Sequence, residues 1–339
     1  MVIIKFMKKY ILKEVIISND NDVEFNEYNN IVICSDKNVV RSMGVLVYSI
    51  IKNTKTKCAF HIFFNGNMPT GDIEKFTYLS QKYSVPIVIY YINNFYFKNF
   101  NSTSTITETA YYRLIAPNIL RVKNINKCIY FDTDMLCLND ISIFNEFDIR
   151  DKIAFVVEDY GFMINKNKNY WKILGLKSNQ YFNSGFLIIN IEKYIKNNIA
   201  EKAIELLKKN SYPHMDQDVL NILLDEEVIV SKNFKYNLVT SVPDEYNTDN
   251  VVVVHFTGTR KPWKEYTSFW GESISHTKRQ NYYARWRHYW LKSPWKEVPL
   301  DKPKIATDWR YLAEMYYWDK DIVNCIKAYS KYLFLKFSK

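Results

Sequence analysis

The chain has 339 residues, 47% of them hydrophobic and 24% charged, enough to bury a large core and more than one domain usually needs. Its formal net charge of +10 is unevenly placed, since the stretch from His276 to Lys339 alone holds 14 Lys and Arg against 6 Asp and Glu. No zinc finger, RNA-binding signature or basic zipper accompanies that excess, which argues against nucleic acid as a partner. The cysteines (Cys34, Cys58, Cys128, Cys137 and Cys325) are odd in number and form no C-x-x-C pair, which argues against a disulfide framework or a zinc knuckle.

Residues 1–29 are polar and Asn-rich and are expected to form a loosely held lead-in. The opening stretch Met1–Val15 is broken by Lys5, Lys8, Lys9 and Lys13, and shows no clear apolar core or cleavage site of a signal peptide. No apolar run reaches the ~20 residues that span a bilayer. The expected location is therefore cytoplasmic, peripheral on the inner face of the cytoplasmic membrane through the basic C-terminal stretch.

Asn30–Cys34 predicts a buried strand centred on Ile31-Val32-Ile33. Val39, Met43, Val47, Ile50 and Ile51 then recur at helical spacing. Ala59–Phe64 predicts a second strand, Asp72–Tyr83 a helix and Pro86–Tyr91 a third strand. Strands alternating with helices imply an α/β fold with parallel pairing, and ligands of such sheets bind at the carboxyl ends of the strands. Those ends carry polar groups here. Cys34-Ser35-Asp36-Lys37-Asn38 follows the first strand, Asp132-Thr133-Asp134 follows Cys128–Phe131, Glu158-Asp159 follows Ile153–Val157, and His255-Phe256-Thr257-Gly258 follows Val251–Val254.

Asp132-Thr133-Asp134 is the centre of the functional argument. Two carboxylates two residues apart just beyond a strand can converge on one hard divalent cation, which takes oxygen ligands and shares them with phosphates. An imidazole such as His255 would tilt that site toward Mn²⁺ without excluding Mg²⁺. The competing explanation of Asp132 and Asp134 is a turn cap. Asn183-Ser184-Gly185, taken alone, is a turn, and Asp216-Gln217-Asp218 alone is a helix start whose carboxylates suit the dipole.

Taken in order, Ala110-Tyr111-Tyr112-Arg113-Leu114, Asp132-Thr133-Asp134, Phe182-Asn183-Ser184-Gly185-Phe186, His214-Met215-Asp216-Gln217-Asp218 and His255-Phe256-Thr257-Gly258-Thr259-Arg260-Lys261-Pro262-Trp263 resemble family 8 of the retaining glycosyltransferases. The similar stretch runs from about Asn30 to Trp270. Beyond it, Trp290-Leu291-Lys292-Ser293-Pro294-Trp295-Lys296, Tyr311–Tyr317 and Ile326–Leu333 are similar to the C-terminal region of the lipopolysaccharide core glucosyl- and galactosyltransferase branch. The resemblance implies a nucleotide-sugar-binding, Rossmann-like mixed sheet of the GT-A type. It divides the chain into the lead-in, a catalytic domain over 30–272 and a basic, aromatic helical region over 273–339.

The resemblance also implies roles. Asp36 and Asn38 would hold the uracil and ribose of a UDP-sugar, within the segment Cys34, Ser35, Asp36, Lys37, Asn38 and Val39, where Val39 stands at a place at which the family often has an aromatic residue. Arg113 would contact the donor. Asp132, Asp134 and His255 would ligate the metal, with Thr133 between the carboxylates. Gly258 and Lys261 would hold the diphosphate. Asn183, Ser184, Gly185, Asp216 and Gln217 would line the sugar pocket, and Asp159 would face the transferred sugar. Catalytic candidates are Gln217, Asp216 and Asp159.

The implied activity is retaining transfer of glucose or galactose from UDP-glucose or UDP-galactose to a lipid-linked lipopolysaccharide core. The same chemistry on another surface glycan or glycoprotein, and an inactive sugar-binding scaffold, are the alternatives. Five of the eight tryptophans (Trp286, Trp290, Trp295, Trp309 and Trp318) lie beyond His276, among Arg279, Arg285, Arg287, Lys292 and Lys296. Ile322, Ile326, Tyr329 and Leu333 recur there at helical spacing with Lys327, Lys331 and Lys336 around them, which fits either an interfacial helix on anionic lipid or a helical cap on the catalytic domain.

Overall fold

The computed structural model describes residues 2–20, 22–102, 107–161, 169–240, 250–267 and 276–338. Helix α1 (Val2–Tyr10) runs directly into strand β1 (Ile11–Ile17). β1 pairs antiparallel with β4 (Ile87–Ile92), so this part of the expected lead-in is the edge of the main sheet. Lys13 and Glu14 hide the strand in sequence because they break its apolar pattern. An edge strand tolerates such charge, and charge there discourages pairing with other chains. Glu14 is held by Lys123 at 2.6 Å.

The centre of the sheet follows the expected alternation. β2 (Asn29–Asp36), α2 (Val40–Asn53), β3 (Cys58–Asn65), α3 (Thr70–Tyr83) and β4 come in sequence, and β2, β3 and β4 pair in parallel. Short helix α4 (Ala116–Leu120) leads to β5 (Lys127–Phe131), parallel to β2 on its other side. The order of the eight strands is β1-β4-β3-β2-β5-β8-β7-β9, with β7 at Ala154–Glu158, β8 at Phe182–Asn190 and β9 at Val228–Ser231.

The sheet is mixed because β8 runs back between β5 and β7, antiparallel to both. That reversal brings the start of β8, Asn183-Ser184-Gly185, against the carboxyl end of β5. The Asp132 N–H donates to the Gly185 carbonyl at 2.9 Å. Helix α5 (Tyr170–Ile173) precedes β8, while α6 (Ile191–Lys196), α7 (Ile199–Lys209) and α8 (Met215–Leu223) follow it.

A second, three-stranded sheet has the order β10 (Leu238–Val239), β11 (Val253–His255), β6 (Met135–Cys137). β6 begins one residue after Asp134, and β11 lies antiparallel to it with His255 opposite Met135. The Phe256 N–H donates to the Asp134 carbonyl at 2.9 Å. Backbone pairing therefore delivers an imidazole from a distant segment to the D-x-D turn.

The boundary expected at 272/273 lies outside the described residues. Beyond it, α9 (His276–Lys292) and the turn after it join the main core. Trp286 and Trp295 are fully buried. Trp295 lies against Gly44 of α2 so closely that a Cβ at Gly44 would come within 2.5 Å of its ring. The Trp295 indole donates to Asp72 at 2.8 Å, and Arg41 pairs with Asp301 at 2.6 Å. By contrast, α10 (Ala306–Trp318) and α11 (Ile322–Phe337) form a separate small cluster, in which Leu312, Ala313 and Ala328 pack with Tyr266. Among the described residues no helix is long and apolar enough to cross a membrane.

Candidate active site

Asp132, Asp134 and His255 offer ligand atoms that all lie within 4.8 Å of one another. His255 Nε2 stands 3.1 Å from Asp134 Oδ1 and 3.8 Å from Asp132 Oδ2. The other Asp134 oxygen takes the Lys261 ammonium at 2.5 Å, and the same ammonium donates to the Phe256 carbonyl. Burial alone would raise the Asp134 carboxyl, but Lys261 and His255 outweigh it and hold the group well below the usual carboxylate range.

Asp132 has a different set of partners. Its Oδ1 accepts from Arg113 at 2.9 Å and from the Tyr130 hydroxyl at 2.6 Å. Arg113 comes from a short 3-10 helix, Glu108–Leu114, and is buried. Its guanidinium lies over the Tyr130 ring, 4.4 Å from the centroid, and donates to the Ser184 carbonyl at 2.7 Å. Arg113 Nε donates to the Ala110 carbonyl at 2.9 Å, so its 3.0 Å approach to Asp216 Oδ2 is a charge contact without hydrogen-bond alignment. Burial pushes the Asp216 carboxyl up to about 6 even against Arg113, with Asp132 adding to the rise.

The groups assigned to a sugar pocket are linked to one another. Asn183 Nδ2 donates to Asp159 Oδ2 at 3.1 Å, and Gln217 Nε2 donates to the same oxygen at 3.3 Å. Gln217 Oε1 accepts from the Ser184 N–H at 3.0 Å. Asn183 Oδ1 accepts from the Gly185 N–H and from Asn237 Nδ2. Thus Asp159, Asn183, Ser184, Gly185 and Gln217 form one network beside the carboxylate–imidazole cluster, and Asp216 is tied to it through Arg113, which also holds Ser184.

The remaining candidates stand at the end of β2 and in the loop after β11. Cys34 is buried, and burial pushes its thiol up, so it packs beneath the site as a small apolar group. The Ser35 hydroxyl is buried against the Asp36 carbonyl. Asp36 Oδ1 accepts from the Asn38 N–H at 2.8 Å, a turn that leaves Lys37 and Asn38 exposed and Val39 half-buried. Gly258 has φ +79°, a left-handed conformation that favours glycine, and is exposed.

Comparison with known proteins decides the identity. The sequence profile of glycosyl transferase family 8 matches residues 30–267. The chain belongs to this family. The glycosyltransferase is 30% identical over 94% of its length to a lipopolysaccharide glucosyltransferase of Escherichia coli K12, covering 94% of that protein. It is 28% identical over 96% of its length to a lipopolysaccharide 1,3-galactosyltransferase of Salmonella typhimurium, covering 98% of it. Its fold is similar to that of the galactosyltransferase LgtC solved with donor and acceptor sugar analogues, with a TM-score of 0.63 at 21% identity over 78% of this chain and 96% of that one. The GT-A-type mixed sheet is thereby shown.

The donor set of this glycosyltransferase fits a divalent cation. Two carboxylate oxygens and an imidazole nitrogen converge, and the space at their junction is kept by a glycine. A Cβ on Gly185 would lie 2.5 Å from His255 Cε1 and 2.7 Å from Asp132 Oδ2. His255 is buried with Nε2 toward both carboxylates, and among the described residues its Nδ1 has no hydrogen-bond partner. Sequence reasoning missed Tyr130, Tyr181 and Asn237, all of which touch the network. Tyr181 and Asn237 act through partners far along the chain, and Tyr130, only two residues before Asp132, lies inside an apolar strand run that gives its hydroxyl no local mark.

Proposed function

We propose that the enzyme transfers glucose or galactose from a UDP-sugar to a lipid-linked lipopolysaccharide core oligosaccharide, with retention at the anomeric carbon and with Mn²⁺ or Mg²⁺ held by Asp132, Asp134 and His255. The observation that carries this reading is the convergence of those three side chains beside Lys261. The two lipopolysaccharide hexosyltransferases named above align over almost the whole chain, and this supports the acceptor class.

When bound, the cation would act as a Lewis acid toward the diphosphate leaving group. Lys261 would add a fixed positive charge to the same developing anion, and Gly258 would let the backbone approach a phosphate closely. Asp36 and Asn38, at the end of β2, would take the uracil and ribose. Arg113 would neutralise Asp132 and Asp216 and keep both carboxylates in place. Asp159, Asn183 and Asp216 would hold sugar hydroxyls, and the Gln217 carbonyl would face the oxocarbenium-like centre as its positive charge develops.

On this reading the protein works at a membrane surface. α11 exposes Ile322, Val323, Ile326, Phe334 and Phe337, with Lys327, Lys331 and Lys336 on the same helix. Apolar side chains flanked by lysines suit the boundary of an anionic bilayer, where a lipid-linked acceptor would be found.

The test is UDP-sugar turnover with Mn²⁺ in the intact chain and in Asp134→Asn. The substitution keeps the shape but removes the anionic ligand, so turnover should fall at least 100-fold, as roughly expected when a main electrostatic group is lost. Undiminished turnover at saturating donor and Mn²⁺ would sink the metal assignment. Absence of turnover in the intact chain with every UDP-hexose tried would sink the donor assignment.

A further inference from the structure

Asp218 is fully buried at the start of α8, and none of the ion pairs among the described residues includes it. Neutral donors surround it instead. It accepts from the Tyr181 hydroxyl at 2.6 Å, the Tyr170 hydroxyl at 2.8 Å and the His214 N–H at 2.9 Å. A buried carboxylate needs such donors, and it in turn dictates where their protons point.

Tyr181 has a single hydroxyl proton. With that proton committed to Asp218, its oxygen offers only lone pairs to Gln217, whose Nε2 approaches at 3.1 Å. The second Nε2 proton meets Asp159 Oδ2 at 3.3 Å, another pure acceptor. On the other side, Gln217 Oε1 faces the Ser184 N–H at 3.0 Å, a pure donor. A flipped amide would set its oxygen against the Asp159 carboxylate and the Tyr181 lone pair, and its NH₂ against the Ser184 N–H. The direction of the Gln217 carbonyl is thus set jointly by the Ser184 N–H, the Asp159 carboxylate and, through Tyr181, by Asp218.

We propose that Asp218 and Tyr181 are positioning residues, a buried anion and a phenol that orient the Gln217 amide so that its carbonyl oxygen serves the transferred sugar. This rests on the assignment of Gln217 to the sugar pocket made above. Neither residue touches donor or acceptor on this account. Their effect passes through one amide, so it belongs to the rate of the chemical step and not to nucleotide binding.

A double-mutant cycle tests this. The four proteins are the intact chain, Tyr181→Phe, Gln217→Ala and the double variant. The readouts are kcat and KM for Mn²⁺-dependent hydrolysis of the UDP-sugar, and UDP affinity by calorimetry. Tyr181→Phe should lower kcat about tenfold or more, roughly one hydrogen bond's worth, and leave UDP affinity unchanged. In the Gln217→Ala background the same substitution should change kcat less than twofold. Asp218→Asn, run through the same cycle, should behave alike and stands in if Tyr181→Phe does not fold. Equal losses in both backgrounds, or an unchanged kcat in Tyr181→Phe, would overturn the relay while leaving the donor assignment intact. An intact chain without any turnover would overturn both.

Discussion

Gly185 approaches His255 so closely that a methyl group on Gly185 would meet the imidazole Cε1 at 2.5 Å. The glycine is therefore a spacer between β8 and β11 at the point where the ligand atoms converge. Its need has nothing to do with φ, since Gly185 is not among the positive-φ glycines. Gly185→Ala should fold, at a cost of roughly 1–3 kcal/mol for overpacking, with the His255 ring displaced. Mn²⁺-dependent UDP binding, read by calorimetry, should weaken about tenfold or more, close to the effect of His255→Ala. Combining the two substitutions should add little, because the added methyl acts on the ring that the second change removes. Undiminished Mn²⁺-dependent affinity in Gly185→Ala would mean that His255 is no ligand.

Asp216 gives a pH signature. Its carboxyl is pushed up to about 6 from 3.8 by burial, against the pull of Arg113. A group whose folded-state pKa is raised favours the folded chain while protonated. That contribution is full below the ordinary value of 3.8 and is lost as pH rises through about 6. Asp216→Asn cannot ionise, so its stability relative to the intact chain should improve by on the order of 2 kcal/mol between pH 4 and pH 7. Denaturant titrations at the two pH values measure this difference directly. A constant difference between the two proteins would show that Asp216 ionises normally. If the ionised carboxylate holds sugar hydroxyls, kcat/KM should also rise through about pH 6 in the intact chain and lose that limb in the variant.

Much of the main sheet was legible because its strands are short, bounded, β-branched runs alternating with helical periodicity. The strand ends that carry Asp132, Asp134, Asp159 and His255 could be read for the same reason. Other parts could not. β1 is an edge strand whose Lys13 and Glu14 erase the pattern. β6 and β10 are 3 and 2 residues long, too short for any period to show, yet the pairing of β6 with β11, itself legible as the Val251–Val254 run, decides that His255 meets Asp134. Trp286 and Trp295 look in sequence like part of a basic, aromatic tail, although they fill the core against α2 and α3. The partners that bury Trp295, Gly44 and Asp72, are remote in sequence and carry no local mark. Asp218 reads as a helix-start carboxylate and does serve the His214 N–H there, but its two tyrosine partners arrive from α5 and the segment before β8.

The last helix can be separated from the rest of the protein by experiment. Ala328 is its only fully buried residue, and its neighbours belong to the small cluster with Tyr266, not to either face of the main sheet. Removal of residues 321–339 should therefore leave the main core and the carboxylate–imidazole cluster standing, and UDP-sugar hydrolysis should stay within about threefold of the intact chain. Attachment to vesicles should fall sharply. Phe337 is 76% exposed and Phe334 63%, areas that a soluble surface gains nothing by presenting and that a bilayer boundary would bury. Lys327, Lys331 and Lys336 should each contribute about 1 kcal/mol near an anionic surface. That share should fade with salt, because attraction is screened over roughly 10 Å at 0.1 M. Co-sedimentation with phosphatidylglycerol-containing vesicles at low and high salt, beside hydrolysis rates, checks the set. Loss of hydrolysis on truncation would make α11 a cap that the catalytic fold requires. Equal sedimentation of both proteins would remove it from the membrane altogether, leaving its exposed aromatic face to be explained by a protein partner.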